Sequence, residues 1–293
     1  MSRTVKIAWG TWLKAVVITL GLGLAFELHP ISSRSAPPES LHYAANHNFD
    51  SHGRFIPAKA GFNVAEVDEP RHLTALPDGV RALVWVGMCD GVTPRFVERV
   101  RPFISDHRVF GFYLVDDPDP RPPLVSLHRV RCEADKLRAE SDWLHAHMPE
   151  ARTFIVLMNL GTARQPYYGG TYRPEATHID LFGLCAYPCR SESNACDFNA
   201  VERYVVAAEA GGIPRSRIVP TYQAFGGGQW RDDEGGIYVM PTPAQEGEII
   251  RTWRRLVPAP AFDMTYSWGS QRSDYALEGD VALQRFFATF NRQ

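Results

Sequence analysis

The segment VFGFYLVDDPDP (residues 109–120) decides how the chain folds, because it joins an uninterrupted apolar run to a cluster of acids and prolines. Seven uncharged residues, rich in aromatic and β-branched side chains, are typical of a strand buried on both faces of a parallel sheet. Asp116, Asp117 and Asp119 follow it, interleaved with prolines that cannot continue a central strand. The segment therefore predicts a buried strand whose carboxyl end carries carboxylates.

Six further apolar runs of the same kind lie on both sides of this segment. They are GFNVAEV (61–67), RALVWVG (81–87), RTFIVLMNL (152–160), IDLFGLCAY (179–187), RIVPTYQAF (217–225) and FDMTYSW (262–268). Between most of them, apolar residues recur with helical spacing, as at Val201, Val205 and Ala208. Strands that alternate with helices predict an α/β protein with parallel strands.

Seven strands are visible in the sequence, whereas a closed (β/α) barrel needs eight. Either the eighth strand is hidden near residues 43–57 or the barrel is irregular. An open, doubly wound sheet is the alternative, but the first strand–helix junction lacks the glycine-rich phosphate loop of nucleotide-binding sheets. We therefore predict a TIM-type (β/α) barrel.

The first 36 residues differ in composition from the rest of the chain. Arg3, Lys6 and Lys14 precede the apolar run AVVITLGLGLAF (15–26), which is too short to span a bilayer and is typical of a signal peptide. The alternative is an uncleaved anchor, which would be the expected contact with a membrane. The predicted segments are a signal peptide or anchor (1–36), a linker (37–57) and a single barrel domain (58–293). The protein is expected to be exported to the periplasm or the cell exterior.

Composition and charge exclude several classes of protein. The 293 residues are 45% hydrophobic, enough for a large core, and the formal net charge is −2. A mildly acidic chain has no basic surface for nucleic acid, so we expect no nucleic-acid partner. Zinc-type cysteine or histidine spacings, a nucleophile elbow and a Walker loop are all missing, and we expect no metal and no cofactor.

Five cysteines in an exported chain indicate disulfides, because the destination is oxidising. Cys189 and Cys196 bracket a short polar loop. Cys89 and Cys132 each follow a predicted strand by a loop, which places both at the same rim. Cys185 lies inside an apolar run and is expected to be a buried thiol. Sequence alone leaves other pairings open, but we predict the pairs Cys89–Cys132 and Cys189–Cys196.

Polar and aromatic residues gather at the predicted carboxyl ends of the strands, where barrels of this type hold their active sites. The candidates are the acids Glu66, Asp68, Asp116 and Asp117, and the ligand-binding residues Asn159, Tyr187, Gln223, Trp230 and Trp268. Carboxylates and amides bind hydroxyl groups, and aromatic faces stack on the C–H surfaces of pyranose rings. The set predicts a polysaccharide or other glycan as ligand.

The strand end Asp116-Asp117-Pro118 resembles the Asp-Glu-Pro or Asn-Glu-Pro strand end of the large clan of retaining glycoside hydrolases with (β/α)8 barrels. The later strand ends YQAFGG (222–227) and YSWGS (266–270) follow in the clan's order. The resemblance implies an exported glycoside hydrolase in which Asp117 is the general acid. It also implies a nucleophile near Gln223, which is not an acid, so covalent catalysis through that strand is excluded.

Other interpretations of the same residues stay open. A base for an enzyme could come from Glu66 or Asp68, although these acids could equally cap a helix. The turn-forming residues 116–120 could be a turn and nothing more. Because side chains alternate along a strand, only one of Asp116 and Asp117 is expected to face the site. The alternatives to an enzyme are a non-catalytic carbohydrate-binding barrel and an envelope protein whose rim binds a protein partner.

Overall fold

The computed structural model describes residues 40–121, 131–193, 196–231 and 235–292, and the predicted signal peptide or anchor lies outside these residues. Eight parallel strands close into a barrel, which confirms the predicted fold class. In order around the barrel they are β1 (His42–Ala44), β2 (Val64–Val67), β3 (Arg81–Trp85), β4 (Val109–Asp116), β5 (Arg152–Leu157), β6 (Leu181–Leu184), β7 (Ile218–Gln223) and β9 (Asp263–Tyr266). Two short strands outside the barrel, β8 (Phe225–Gly226) and β10 (Tyr275–Ala276), pair antiparallel.

The strand that the sequence leaves unplaced is β1, which lies inside the segment predicted as a linker. Its central residue, Tyr43, pairs with Val64 of β2 on one side and with Met264 of β9 on the other, so β1 closes the barrel. A ring nitrogen of the buried His42, in β1, lies 2.9 Å from the Asp263 carboxylate of β9 and so also joins β1 to β9. Three residues are too few to show a strand pattern, so β1 cannot be recognised from the sequence. Because β1 belongs to the barrel, the barrel begins before residue 58, the predicted start of the domain.

Helices cover the outside of the barrel between successive strands. They are α1 (Pro70–Thr74), α2 (Pro94–Val100), α3 (Ala134–His147), α4 (Pro174–Thr177), α5 (Asn199–Ala210), α6 (Pro243–Leu256) and α7 (Val281–Phe290). The helix α6 begins at a capping box, in which the Thr242 hydroxyl accepts a hydrogen bond from the backbone N–H of Gln245 and the Gln245 side chain binds the Thr242 backbone. Helix α1, with five residues, lies in the connection between β2 and β3.

The apolar core has two parts, one inside the barrel and one between barrel and helices. Inside the barrel, the ring of Phe262 contacts Phe110 at 5.5 Å and Phe154 at 5.0 Å between ring centroids. Tyr113 lies one layer higher, 4.7 Å from Phe154. Phe110 and Phe154 lie near the amino-terminal ends of β4 and β5, and Phe262 directly precedes β9, so these rings fill the barrel interior at that end.

A carboxyl group is buried in the outer part of the core. Glu140 of α3 is fully buried, and its Oε1 accepts a hydrogen bond of 2.9 Å from the backbone N–H of Gly91. Desolvation raises the pKa of Glu140 to about 8, and the negative charge of Asp90 acts in the same direction. Glu140 is therefore protonated in the folded protein at neutral pH.

Replacing this carboxyl should change how stability depends on pH. The pKa of Glu140 is higher in the folded state than in the unfolded state. The stability that this carboxyl contributes is therefore fully present below the unfolded-state pKa and is lost as pH rises through about 8. We expect Glu140→Gln to raise the Tm at pH 9 by ~4 °C or more relative to the parent, since 1 kcal/mol moves Tm by about 2–4 °C in a chain of this size. Calorimetric scans between pH 5 and pH 9 measure this difference. The exposed Glu150→Gln is the matched control, and parallel Tm profiles for the parent and Glu140→Gln would contradict the prediction.

Candidate active site

A cavity of about 860 Å³ opens at the carboxyl ends of the barrel strands, within the range of about 300–1,000 Å³ found for ligand sites. Three of the predicted acids line it: Glu66, Asp116 and Asp117. Aromatic residues make up half of the other lining residues: Tyr43, Trp85, Tyr113, Tyr168, Tyr187, Tyr204, Phe225, Trp230, Tyr238 and Tyr266. The cavity thus combines charged acceptors with broad apolar surfaces.

Two neighbouring acids, Asp116 and Asp117, both line this cavity. The expectation that only one of them faces the site is wrong, because strand alternation does not extend past Asp116. Asp116 is the last residue of β4, and Asp117 turns into the left-handed region with φ of 46°. Asp is one of the few residues that adopts this conformation readily, so the sequence itself allows the turn.

Glu66 projects into the cavity from β2. Its carboxylate accepts a hydrogen bond from the Tyr43 hydroxyl, and its backbone N–H donates to Asn48 Oδ1 at 2.7 Å. Desolvation raises the pKa of Glu66 to about 7, and the negative charges of Asp68 and Asp116 add to this rise, whereas the hydrogen bond from Tyr43 opposes it. Glu66 is therefore a carboxyl group that exchanges its proton near neutral pH.

Asp116 has a tyrosine partner of its own. The Tyr113 hydroxyl donates a hydrogen bond of 2.7 Å to Asp116 Oδ1, and burial raises the pKa of Tyr113 so that the hydroxyl keeps its proton. The ring of Trp85 packs edge-on against Tyr113, with centroids 4.7 Å apart, and fixes its position. Two buried tyrosines, Tyr43 and Tyr113, thus each orient one carboxyl group of the cavity.

Three of the predicted ligand-binding residues, Asn159, Tyr187 and Trp230, also line the cavity. Tyr187 packs edge-on against Phe225, with ring centroids 4.9 Å apart. The guanidinium of Arg272 lies over the Trp230 ring, 4.3 Å from its centroid, and Arg272 is itself a cavity residue. These contacts fix the orientation of the Tyr187 and Trp230 rings in the cavity wall.

Trp268, predicted to stack on a sugar, lies elsewhere. It is fully buried in the outer core, edge-on to Phe62 at 6.3 Å, and does not line the cavity. The cause is the path of the chain after β9: the backbone N–H of Trp268 donates to the carbonyl of Ala45 at 2.8 Å, which ties this residue to the end of β1. The apolar run FDMTYSW extends two residues beyond the end of β9, so the sequence pattern wrongly predicts that Trp268 ends the strand and faces the cavity.

Gln223 and Asp68 also lie outside the cavity lining. Gln223 is fully buried, and its side-chain amide donates to the carbonyls of Cys189 and Val239, at 3.0 Å each, while accepting from the Cys189 N–H at 2.9 Å. It therefore supports two loops instead of contacting a ligand. Asp68 is exposed, and its carboxylate lies 2.8 Å from the ring nitrogen of His72.

Several cavity residues were not predicted from the sequence, among them Tyr43, Trp85, Tyr113 and Tyr266. Trp85, Tyr113 and Tyr266 belong to strands that are largely buried on both faces, where the sequence pattern does not reveal which side chains face the cavity. Tyr43 lies in β1, which has no visible strand pattern. A count of aromatic residues near strand ends was the one signal that could have found them.

Both predicted disulfides, Cys89–Cys132 and Cys189–Cys196, are present, with Cα atoms 5.5 Å and 4.0 Å apart. Cys185 forms no disulfide and lines the cavity, where its sulfur accepts a hydrogen bond of 3.2 Å from the Tyr187 hydroxyl. Burial raises the pKa of this thiol well above its usual value, so it is not a nucleophile at neutral pH.

Over 40–121, 131–193, 196–231 and 235–292, no three histidine, cysteine or acidic side chains are grouped so that they could hold a metal ion. Within the same ranges, no helix has the length and apolar character needed to cross a bilayer.

The barrel is similar to those of solved glycosidases. It superposes on a fungal endo-beta-N-acetylglucosaminidase from glycosyl hydrolase family 18 with a TM-score of 0.52 at 14% identity, covering 86% of this chain and 98% of that one. A chitinase from Chromobacterium violaceum gives 0.51 at 12% identity, with 86% and 98% covered, and a chitinase from Bacteroides thetaiotaomicron gives 0.51 at 11%, with 78% and 89% covered. No protein-family model and no curated protein matches the sequence. At these identities the likeness shows a shared fold.

Proposed function

We propose that the protein is an exported glycoside hydrolase that cleaves a glycan in the cavity at the barrel mouth. One observation carries the proposal: Glu66, with a pKa of about 7, shares an aromatic-walled cavity with Asp116 and Asp117. Glycoside hydrolysis needs one carboxyl group that holds a proton and another that does not. Two disulfides support the export part of the proposal, because such bonds persist in oxidising compartments.

In the proposed mechanism Glu66 is the general acid. It donates its proton to the glycosidic oxygen as the bond from that oxygen to the anomeric carbon breaks. A water molecule attacks the anomeric carbon, and the Asp117 carboxylate takes the proton that this water loses. The resemblance in sequence implies the acid role for Asp117, but the raised pKa of Glu66 favours the exchanged roles. The Tyr113 hydroxyl holds Asp116 in the same cavity, and the negative charge of Asp116 helps to keep Glu66 protonated.

The structural relatives suggest where to look for the substrate. The names of the three glycosidases refer to chitin and to N-acetylglucosamine. A mechanism in which water attacks the anomeric carbon directly needs no carboxylate nucleophile, so Glu66 and Asp117 supply both of the groups it requires. A missing acid at Gln223 therefore does not count against hydrolysis, and N-acetylhexosamine polymers are the first substrates to test.

The full-length protein is expected to release reducing ends from at least one member of a panel of soluble glycans. A suitable panel is glycol chitin, peptidoglycan, arabinogalactan, xylan and mixed-linkage β-glucan. The double variant Glu66→Gln/Asp117→Asn, purified in parallel, controls for contaminating hydrolases. Reducing ends at the level of the double variant on every polymer would overturn the proposal. Retardation by a polymer without turnover would instead support the carbohydrate-binding barrel.

A further inference from the structure

Two tyrosines beside the cavity are far more exposed than any other aromatic ring in the described part of the chain. The exposed fraction of the residue is 61% for Tyr167 and 74% for Tyr275. Neither lines the cavity, and the proposed reaction uses neither. An exposed aromatic ring at the rim of a ligand site is a surface to which a ligand can bind.

Tyr275 is held firmly despite its exposure. It lies in β10 and pairs with Gly226 of β8, and the adjacent residues Ala276 and Phe225 continue the ladder. Its ring lies against Gly227, where a Cβ atom would stand 3.0 Å from ring atom Cδ2. Gly227 has φ of 74°, a conformation that glycine adopts without strain. One edge of the ring thus rests on bare backbone while much of the side chain is open to solvent.

Tyr167 has a similar setting in the loop after β5. Its backbone N–H donates to Asn159 Oδ1 at 2.9 Å, and its carbonyl accepts from the N–H of Leu160 at 2.7 Å. Its ring lies next to Gly169, which also has a left-handed backbone with φ of 63°. Both backbone groups of an exposed residue are therefore satisfied by the loop, and its position is fixed relative to the cavity residue Asn159.

The two rings flank an aromatic section of the cavity wall. Tyr167 follows β5 and Tyr275 follows β9, and the strands β6 and β7 lie between these two in the barrel. The section between them carries Tyr187, after β6, and Phe225, after β7. A ligand that runs along this section meets Tyr167 at one end and Tyr275 at the other.

We propose that Tyr167 and Tyr275 are stacking platforms for pyranose units of a glycan chain that extends from the cavity past both sides of its rim. This inference rests on the proposed function and deepens it, because a chain bound on both sides is cleaved internally and not at its end. The open ring faces match the C–H surfaces of pyranoses. The substrate class is therefore a polymer, with binding sites on each side of the cleaved bond.

The test compares long and short substrates of the same sugar. The polymer that the parent hydrolyses best in the panel is the long substrate, and the 4-methylumbelliferyl glycoside of its disaccharide is the short one. Tyr167→Ala and Tyr275→Ala are each expected to lower kcat/KM on the polymer by ~5-fold or more, equivalent to roughly 1 kcal/mol. Both variants should retain kcat/KM on the short substrate, and Tyr275→Phe and Tyr167→Phe should restore the polymer rate, because they keep the ring.

The matched control is Val206→Ala, which removes an apolar side chain with an exposed fraction of 52% on α5, away from the rim. It should leave both rates unchanged. Equal kcat/KM on the polymer in the parent and in both alanine variants would overturn this inference and leave the proposed function standing. Loss on both substrates would also overturn it, since it would mean that the tyrosines support the cavity itself. No hydrolysis by the parent would overturn the proposed function, and this inference with it.

Discussion

Glu66→Gln is expected to lower turnover by ~10²-fold or more, the usual scale for the loss of general acid catalysis. The reaction needs the protonated form of Glu66, so kcat/KM in the parent should fall as pH rises through about 7. Glutamine keeps an acceptor for the Tyr43 hydroxyl and nearly the same shape, so the fold should persist. The variant should therefore retain glycan binding, and its residual kcat/KM should no longer fall on the alkaline side.

A second variant tests the same assignment without touching the carboxyl group. The hydrogen bond from Tyr43 stabilises the ionised form of Glu66 and lowers its pKa. Tyr43→Phe removes only that hydroxyl, so the alkaline fall of kcat/KM should move to higher pH. An alkaline fall that stays in place in Tyr43→Phe and persists in Glu66→Gln would show that another group supplies the proton.

The fold was predictable because the buried parallel strands of a barrel are recognisable in the sequence as repeated apolar runs. Each of the seven runs contains a barrel strand, and the run at 109–115 corresponds to β4 almost residue for residue. The exception, β1, is specified by its partners: Tyr43 is held between β2 and β9, and His42 contacts Asp263. Such a strand is defined by contacts with residues about 20 and 220 positions away, which no local pattern encodes.

The site was less predictable, because membership depends on side-chain direction at the point where a strand ends. Asp117 enters the cavity through a left-handed residue, and Trp268 leaves it because its backbone is tied to Ala45. The sequence shows neither event. Gln223 is similar: its strand ends at the rim, but its amide is fully occupied by loop backbone. Strand ends therefore identify the rim, whereas the backbone after each strand selects the residues that face the cavity.

Asp117→Asn is expected to lower turnover by ~10²-fold or more, because loss of a general base has an effect of the same size as loss of a general acid. The alkaline fall of kcat/KM near pH 7 should remain, because Glu66 is unchanged. Asparagine matches aspartate in size and tolerates the left-handed backbone at this position, so the turn after β4 should be preserved. The substitution removes only the charge that would take a proton from water. Desolvation is the main cause of the raised pKa of both Cys185 and Tyr168, and the negative charge of Asp117 adds to both rises, so this charge acts inside the cavity.

The matched control is Asp68→Asn, which removes an exposed carboxylate of the same rim that does not line the cavity. At about pH 5.5, below the pKa of Glu66, Asp68→Asn should change turnover by less than ~2-fold, because dissolved salt screens the charge of a solvent-exposed carboxylate. Loss of the alkaline fall in Asp117→Asn, with its retention in Glu66→Gln, would return the acid role to Asp117 as the sequence resemblance implies. Unchanged turnover in Asp117→Asn would remove this residue from the mechanism and leave Asp116, held by Tyr113, as the remaining carboxylate partner of Glu66 among the described cavity residues.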